Sequence, residues 1–208
     1  MCGVADSLTA LSDVRATMRA MQPLELFDRS AAVATGIVNG VKEDQFNLPT
    51  PCPEWTVRGV VNHMVVGNMM AEAIAAGQRH PDRSVDWLGD DPRAAFAESV
   101  RVTREVLADP ELPDRTVTTP FGEQPGLFLI RMRVSELYTH AWDVAKATGQ
   151  PTDLDPELAE LLLPEYQARL ASRPRAMASM FGEAAPVPDG AAPADRLAAY
   201  LGRSVAGQ

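Results

Sequence analysis

The chain has little cysteine or histidine, two and three residues respectively among 208. Cys2 and Cys52 cannot build the disulfide framework of a small secreted domain, and that usage suits a reducing cytoplasm. Basic residues are also scarce, 19 against 28 acidic ones for a formal charge of −9, and none cluster long enough to track a phosphate backbone. Nucleic acid and anionic membrane surfaces are therefore not expected as partners. Charge, glycine or proline interrupts every apolar run before the roughly 18 residues of a membrane span. The first 22 residues lack the apolar core of a signal peptide, so a cytoplasmic location is expected. Repeats and low-complexity tracts are absent as well.

What is present is ordinary globular composition, 46% hydrophobic and 23% charged, at a length that supports one domain with a substantial core. Residues 1–22 read as an N-terminal extension, and 23–203 as a single domain. A first amphipathic helix starts at Pro23 and ends near Lys42 to Asp44. Residues 45–55, QFNLPTPCPEW, hold three prolines and form a rigid loop. Thr56 caps a second helix that stops at Gly77, and Asp91 with Pro92 opens a third, with Phe96, Val100, Val102, Val106 and Leu107 directed inward. Thr116 to Thr119 has a β-like pattern. A fourth helix runs from Pro125 to Gly149, a fifth starts at Asp155 and is kinked or divided at Pro164, and PADRLAAYLGR closes the chain as a short helix. These spacings imply an all-α four-helix bundle with a C-terminal helical extension wrapped back on it.

The fourth helix carries the chemistry. Leu127, Ile130, Val134, Leu137, Ala141 and Val144 make one apolar stripe, while Glu136, His140 and Asp143 share a different arc at about 100° per residue. One reading is a solvated strip on which Glu136 and His140 are a surface pair worth a few tenths of a kcal/mol. The other is half of a metal site, since zinc accepts imidazole nitrogen and carboxylate oxygen at about 2.0–2.2 Å and needs a further histidine from elsewhere. His63, in the second helix, lies four residues after Gly59 and four before Gly67. Each glycine costs about 0.5–1 kcal/mol relative to alanine in a helix interior. Such bare positions either admit a close neighbour, a ligand or a metal, or only relieve crowding around a core histidine. His80, beside Pro81, is expected to be exposed.

The pairing of TPCPEWTVRGVVNH, residues 50–63, with SELYTHAWDVAKATG, residues 135–149, resembles the metal-binding domain of mycothiol-dependent maleylpyruvate isomerases, within the DinB/YfiT-like superfamily of four-helix bundles. PFGEQPG and the closing FGEAAPVPDGAAPADRLAAYLGR are similar to an actinobacterial subfamily of that group. The resemblance implies His63, Glu136 and His140 as zinc ligands and mycothiol, a sugar thiol, as cosubstrate. It implies a cytoplasmic thiol transferase or isomerase acting on a small electrophile. Asp143 is then a catalytic carboxylate that orients a ligand imidazole or handles a proton, and Trp55, Phe121 and Trp142 are pocket walls. The resembled isomerases carry a second, α/β domain that this chain is too short to include, so maleylpyruvate isomerisation itself is not expected. Cys52, between two prolines, is expected to be a structural loop position. A Ser135–His140–Asp143 triad fails because Ser135 lies about 100° from the Glu136 line. The alternatives are a metal-binding bundle without catalysis and a metal-dependent hydrolase with Asp143 as base. His and carboxylate ligands also accept other divalent metals. A homodimer is the default for a soluble bundle.

Overall fold

The computed structural model describes residues 22–172 and 182–205. All but the last residue of the expected N-terminal extension lies outside them. Six α-helices form among the described residues: α1 Pro23–Gly40, α2 Val57–Ala75, α3 Pro92–Leu107, α4 Leu127–Thr148, α5 Pro156–Ser172 and α6 Pro193–Tyr200. Their ends follow local chemistry. The Thr56 side chain accepts from the Gly59 N–H, and Asp91 accepts from the N–H groups of Arg93 and Ala94. Each cap satisfies donors that an isolated helix start leaves bare. Gly149, at φ 70°, ends α4 in the left-handed conformation that a side chain would resist.

The all-α expectation is corrected by a small antiparallel hairpin, β1 Thr116–Thr119 paired with β2 Gly122–Pro125, in register Thr116 to Pro125 and Thr119 to Gly122. The first strand has a β-like sequence. Its partner, GEQP, contains the two residue types most depleted from strands, and only the pairing reveals it. The chain remains mostly helical.

Two compact units divide the chain, Leu26–Pro151 and one running from Thr152 onward. In the first, α2 packs on α3 and α4, β1 lies against α2, and β2 against α4. Ser30 on α1 donates to the carbonyl of Val134 on α4 at 2.8 Å. In the second, α5 packs on α6 and buries Leu158, Leu162, Tyr166, Leu197 and Leu201. Pro164 lies inside α5 without dividing it. None of the described helices is long and apolar enough to cross a membrane.

Two burial patterns depart from periodicity. On α3 the inward line is Phe96, Ser99, Thr103 and Leu107, with Val100, Val102 and Val106 only half-buried. Ser99 and Thr103 can be inside because α2 supplies their partners, Asn68 at 2.9 Å and Glu72 at 2.6 Å. The second departure is α4, which buries Ile130 and Val134 and equally Arg133, His140 and Asp143. The solvated-strip reading of its polar arc is overturned, because that arc faces inward.

Replacing Asp91 by Ala removes the acceptor for two N–H groups at the start of α3. Urea unfolding should show a loss of about 1 kcal/mol; an unchanged midpoint contradicts the cap.

Candidate metal centre

His63 on α2 and His140 on α4 meet inside the first unit. Their ring centroids are 4.8 Å apart and their planes are at 80°. Two imidazoles bound through nitrogen at about 2.0–2.1 Å to one tetrahedral ion place their ring centres about 5 Å apart. The observed spacing and donor types therefore fit a shared divalent ion.

Each imidazole is held by neighbours. Trp55, delivered by the rigid loop, stacks on His63 at 4.4 Å and 28°, and meets His140 at 5.8 Å. Gly59 makes room for it, because a Cβ there would sit 3.2 Å from the Trp55 Cβ. Gly67 leaves space for a different neighbour, since a Cβ at that position would collide with the Arg133 guanidinium. Both glycines beside His63 thus admit close neighbours, an indole and a guanidinium.

His140 Nδ1 is 3.0 Å from Asp143 Oδ2, and Cys52 Sγ donates to the same oxygen at 3.2 Å. An ionised carboxylate can only accept, so opposite an Asp143 carboxylate the proton sits on Nδ1. That leaves the Nε2 lone pair of His140 for an ion, the arrangement by which a carboxylate fixes the tautomer of a ligand histidine.

Burial pushes the His63 pKa down to about 3; His140, Arg133 and Arg83 add to the effect, and Glu136 opposes it. The ring is neutral, as a ligand must be. Burial works against the charge of Glu136, yet Arg133 first, then His63 and His140, hold its carboxyl below the ordinary range. The Arg133 guanidinium pairs directly with Glu136 Oε2.

Of the residues expected from sequence, His63, His140, Asp143 and Trp55 come together, while Glu136 interacts with both imidazoles through its charge and is paired with Arg133. Trp142 is buried in the core, and Phe121 is 50% exposed next to the hairpin turn, against Phe128 at 6.3 Å. His80 is exposed. The Ser135 hydroxyl donates to the Arg131 carbonyl at 2.9 Å, consistent with its exclusion from a triad. Two features went unread in the sequence. One is Arg133, whose only signal is a cation one turn before Glu136. The other is the Cys52 sulfur on Asp143. Among the described residues, the ligand atoms of Cys52, His140 and Asp143 all lie within 4.8 Å of one another.

Residues 27–145, which contain all of these groups, match the mycothiol maleylpyruvate isomerase N-terminal domain family. The chain belongs to this family. Two uncharacterized proteins from different strains of Mycobacterium tuberculosis are each 39% identical to it over 185 residues, 89% of this chain and the full length of theirs. A crystal structure of the mycothiol-dependent maleylpyruvate isomerase has the same fold, with TM-score 0.58 and 16% identity over 73% of this chain and 70% of that one. A mutant of that isomerase matches with TM-score 0.59 over the same shares. The family assignment spans the imidazole pair and its supporting groups.

In this family member the acid response has a definite sign. In the folded protein His63 takes a proton near pH 3, and in the unfolded chain near pH 6.5. Glu136 is likewise held ionised below its ordinary range. Both bind protons more readily unfolded, so the metal-free protein should be most stable above about pH 6.5 and weaken as pH falls toward 3. Urea midpoints between pH 7 and 4 should decline, and less steeply in His63→Asn. A flat wild-type profile contradicts the neutral, buried imidazole.

Proposed function

We propose that this chain is a zinc-dependent thiol S-transferase or isomerase, using mycothiol as cosubstrate toward a small electrophile, on a DinB-like four-helix bundle in the cytoplasm. The observation that carries this reading is the edge-to-face pair of His63 and His140 at 4.8 Å. In this reading His63, Glu136 and His140 are the ligands. Two nitrogens and one carboxylate leave a fourth place open, as in catalytic rather than structural zinc sites. When bound, such an ion withdraws charge from a thiol and keeps the sulfur as the nucleophilic thiolate near neutral pH.

The chain's own groups prepare that site. Asp143 holds the proton on His140 Nδ1 and fixes the ring's direction. Arg133 keeps Glu136 ionised. Trp55 covers one face of His63 and restricts how that ring can turn. The family match adds support for thiol chemistry.

The proximity of Cys52, His140 and Asp143 favours a second reading, a non-catalytic metal protein. A cysteine ligand is typical of closed, structural sites. Metal analysis of protein purified without added metal separates the two. The first reading expects stoichiometric zinc in wild type and Cys52→Ala, with loss in His63→Ala and Glu136→Ala. The second expects loss in Cys52→Ala and retention in His63→Ala. With mycothiol and an activated alkene, zinc-loaded wild type should either consume thiol by addition or isomerise the alkene with the thiol regenerated, and His63→Ala should do neither. Metal retention by both His63→Ala and Glu136→Ala removes the first reading.

A further inference from the structure

Arg133 has no exposed surface, yet no sequence signal assigned it a role. Its donors diverge in three directions: to Glu136 Oε2, to Asn68 Oδ1 at 3.1 Å, and to the Met64 carbonyl at 3.3 Å. Asn68 in turn donates through Nδ2 to Ser99 Oγ at 2.9 Å, and that hydroxyl donates to the Phe96 carbonyl at 2.8 Å. A hydrogen-bonded chain thus runs from the backbone of α3, through α2, to a carboxylate on α4. Gly67 completes the fit, since any side chain there would occupy the guanidinium's space.

We propose that Arg133 is a positioning residue for Glu136, holding Oε2 so that only Oε1 is available to the ion shared by His63 and His140, with Gly67 as the notch that permits it. This rests on the metal reading above. An unrestrained glutamate can swing away or bind an ion through both oxygens, and two-oxygen binding fills the open place. A guanidinium anchored at three points prevents both. Lysine cannot substitute, because a single ammonium cannot reach Glu136, Asn68 and the Met64 carbonyl in one planar geometry.

Cobalt(II) titration of the metal-free protein, followed by visible absorption, tests this without any substrate. Wild type should bind one equivalent and show the intense bands of a four-coordinate ion. Folded Arg133→Lys should bind about 10- to 100-fold more weakly, with weaker, shifted bands as the coordination number changes. Gly67→Ala provides an independent arm. Alanine is the better helix former, so any loss of affinity comes from the displaced guanidinium and not from a weakened helix. It should shift the bands in the same direction. A purely structural Arg133 lowers the melting temperature and leaves affinity and bands unmoved. That result in either folded variant, with wild type binding normally, overturns the role of Arg133 alone. Wild type that binds no cobalt overturns the metal reading and this proposal together.

Discussion

An ionisable group buried on all sides must have a partner, and α4 buries several. Removing one member of a buried ion pair typically costs about 3–5 kcal/mol, because the charge left behind has neither water nor counter-ion. Arg133, His140 and Asp143 can be interior only because neighbouring elements were built to meet them. Asn68 and the Met64 carbonyl on α2 receive Arg133. Ser99 on α3 steadies Asn68, and Cys52 in the rigid loop donates to Asp143. The polar interior of α4 therefore dictates residues on three other segments. It also explains the position of Gly67, whose cost to the helix is offset by admitting the guanidinium.

The loop before α2 is held as firmly as the helices. Thr50 accepts from the Cys52 N–H, its hydroxyl lies within reach of the Cys52 and Trp55 carbonyls, and Val57 N–H donates to the Leu48 carbonyl at 3.0 Å. At the loop's other end Phe46 is buried beneath the guanidinium of Arg93, 5.3 Å from the ring centroid. Prolines at 49, 51 and 53 reduce the freedom of the unfolded segment, so less entropy is lost when it is fixed. A mobile loop could not keep an indole stacked on His63 and a sulfur on Asp143 at once. The packing of α3 on Phe46 is thus connected, through covalent rigidity, to the geometry around both imidazoles.

Where the physics is local, the sequence was legible. Caps at Thr56 and Asp91 and the stop at Gly149 depend on side chains within three residues of the helix end, and each sits as its chemistry requires. The meeting of His63 with His140 was legible from family-like motifs, not from periodicity alone. Periodicity misjudged α4, because Arg, Glu, His and Asp on one arc look solvated until the elements that cover them are known. It misjudged α3 for the same reason, since a buried Ser99 or Thr103 is unfavourable unless Asn68 and Glu72 are already opposite. The strand Gly122–Pro125 carries no strand propensity and exists because Thr116–Thr119 lies alongside it. In each case the missing information was the partner across space.

The two candidate donor sets at the centre share one residue, His140, through different ring nitrogens. His140 Nδ1 serves Asp143 when it carries a proton, and could serve an ion only by giving that proton up. In the proposed arrangement with His63 and Glu136, His140 would bind through Nε2 and the contact with Asp143 would stay intact. Binding through Cys52, Asp143 and Nδ1 would break it and draw the Asp143 oxygen away from its buried donors. Breaking such a contact costs about 1–3 kcal/mol before any bond to the ion forms. The carboxylate with no access to water therefore does more than orient a ring. By retaining a proton on one side of His140, it leaves the Nε2 lone pair as the one that the proposed site with His63 would use.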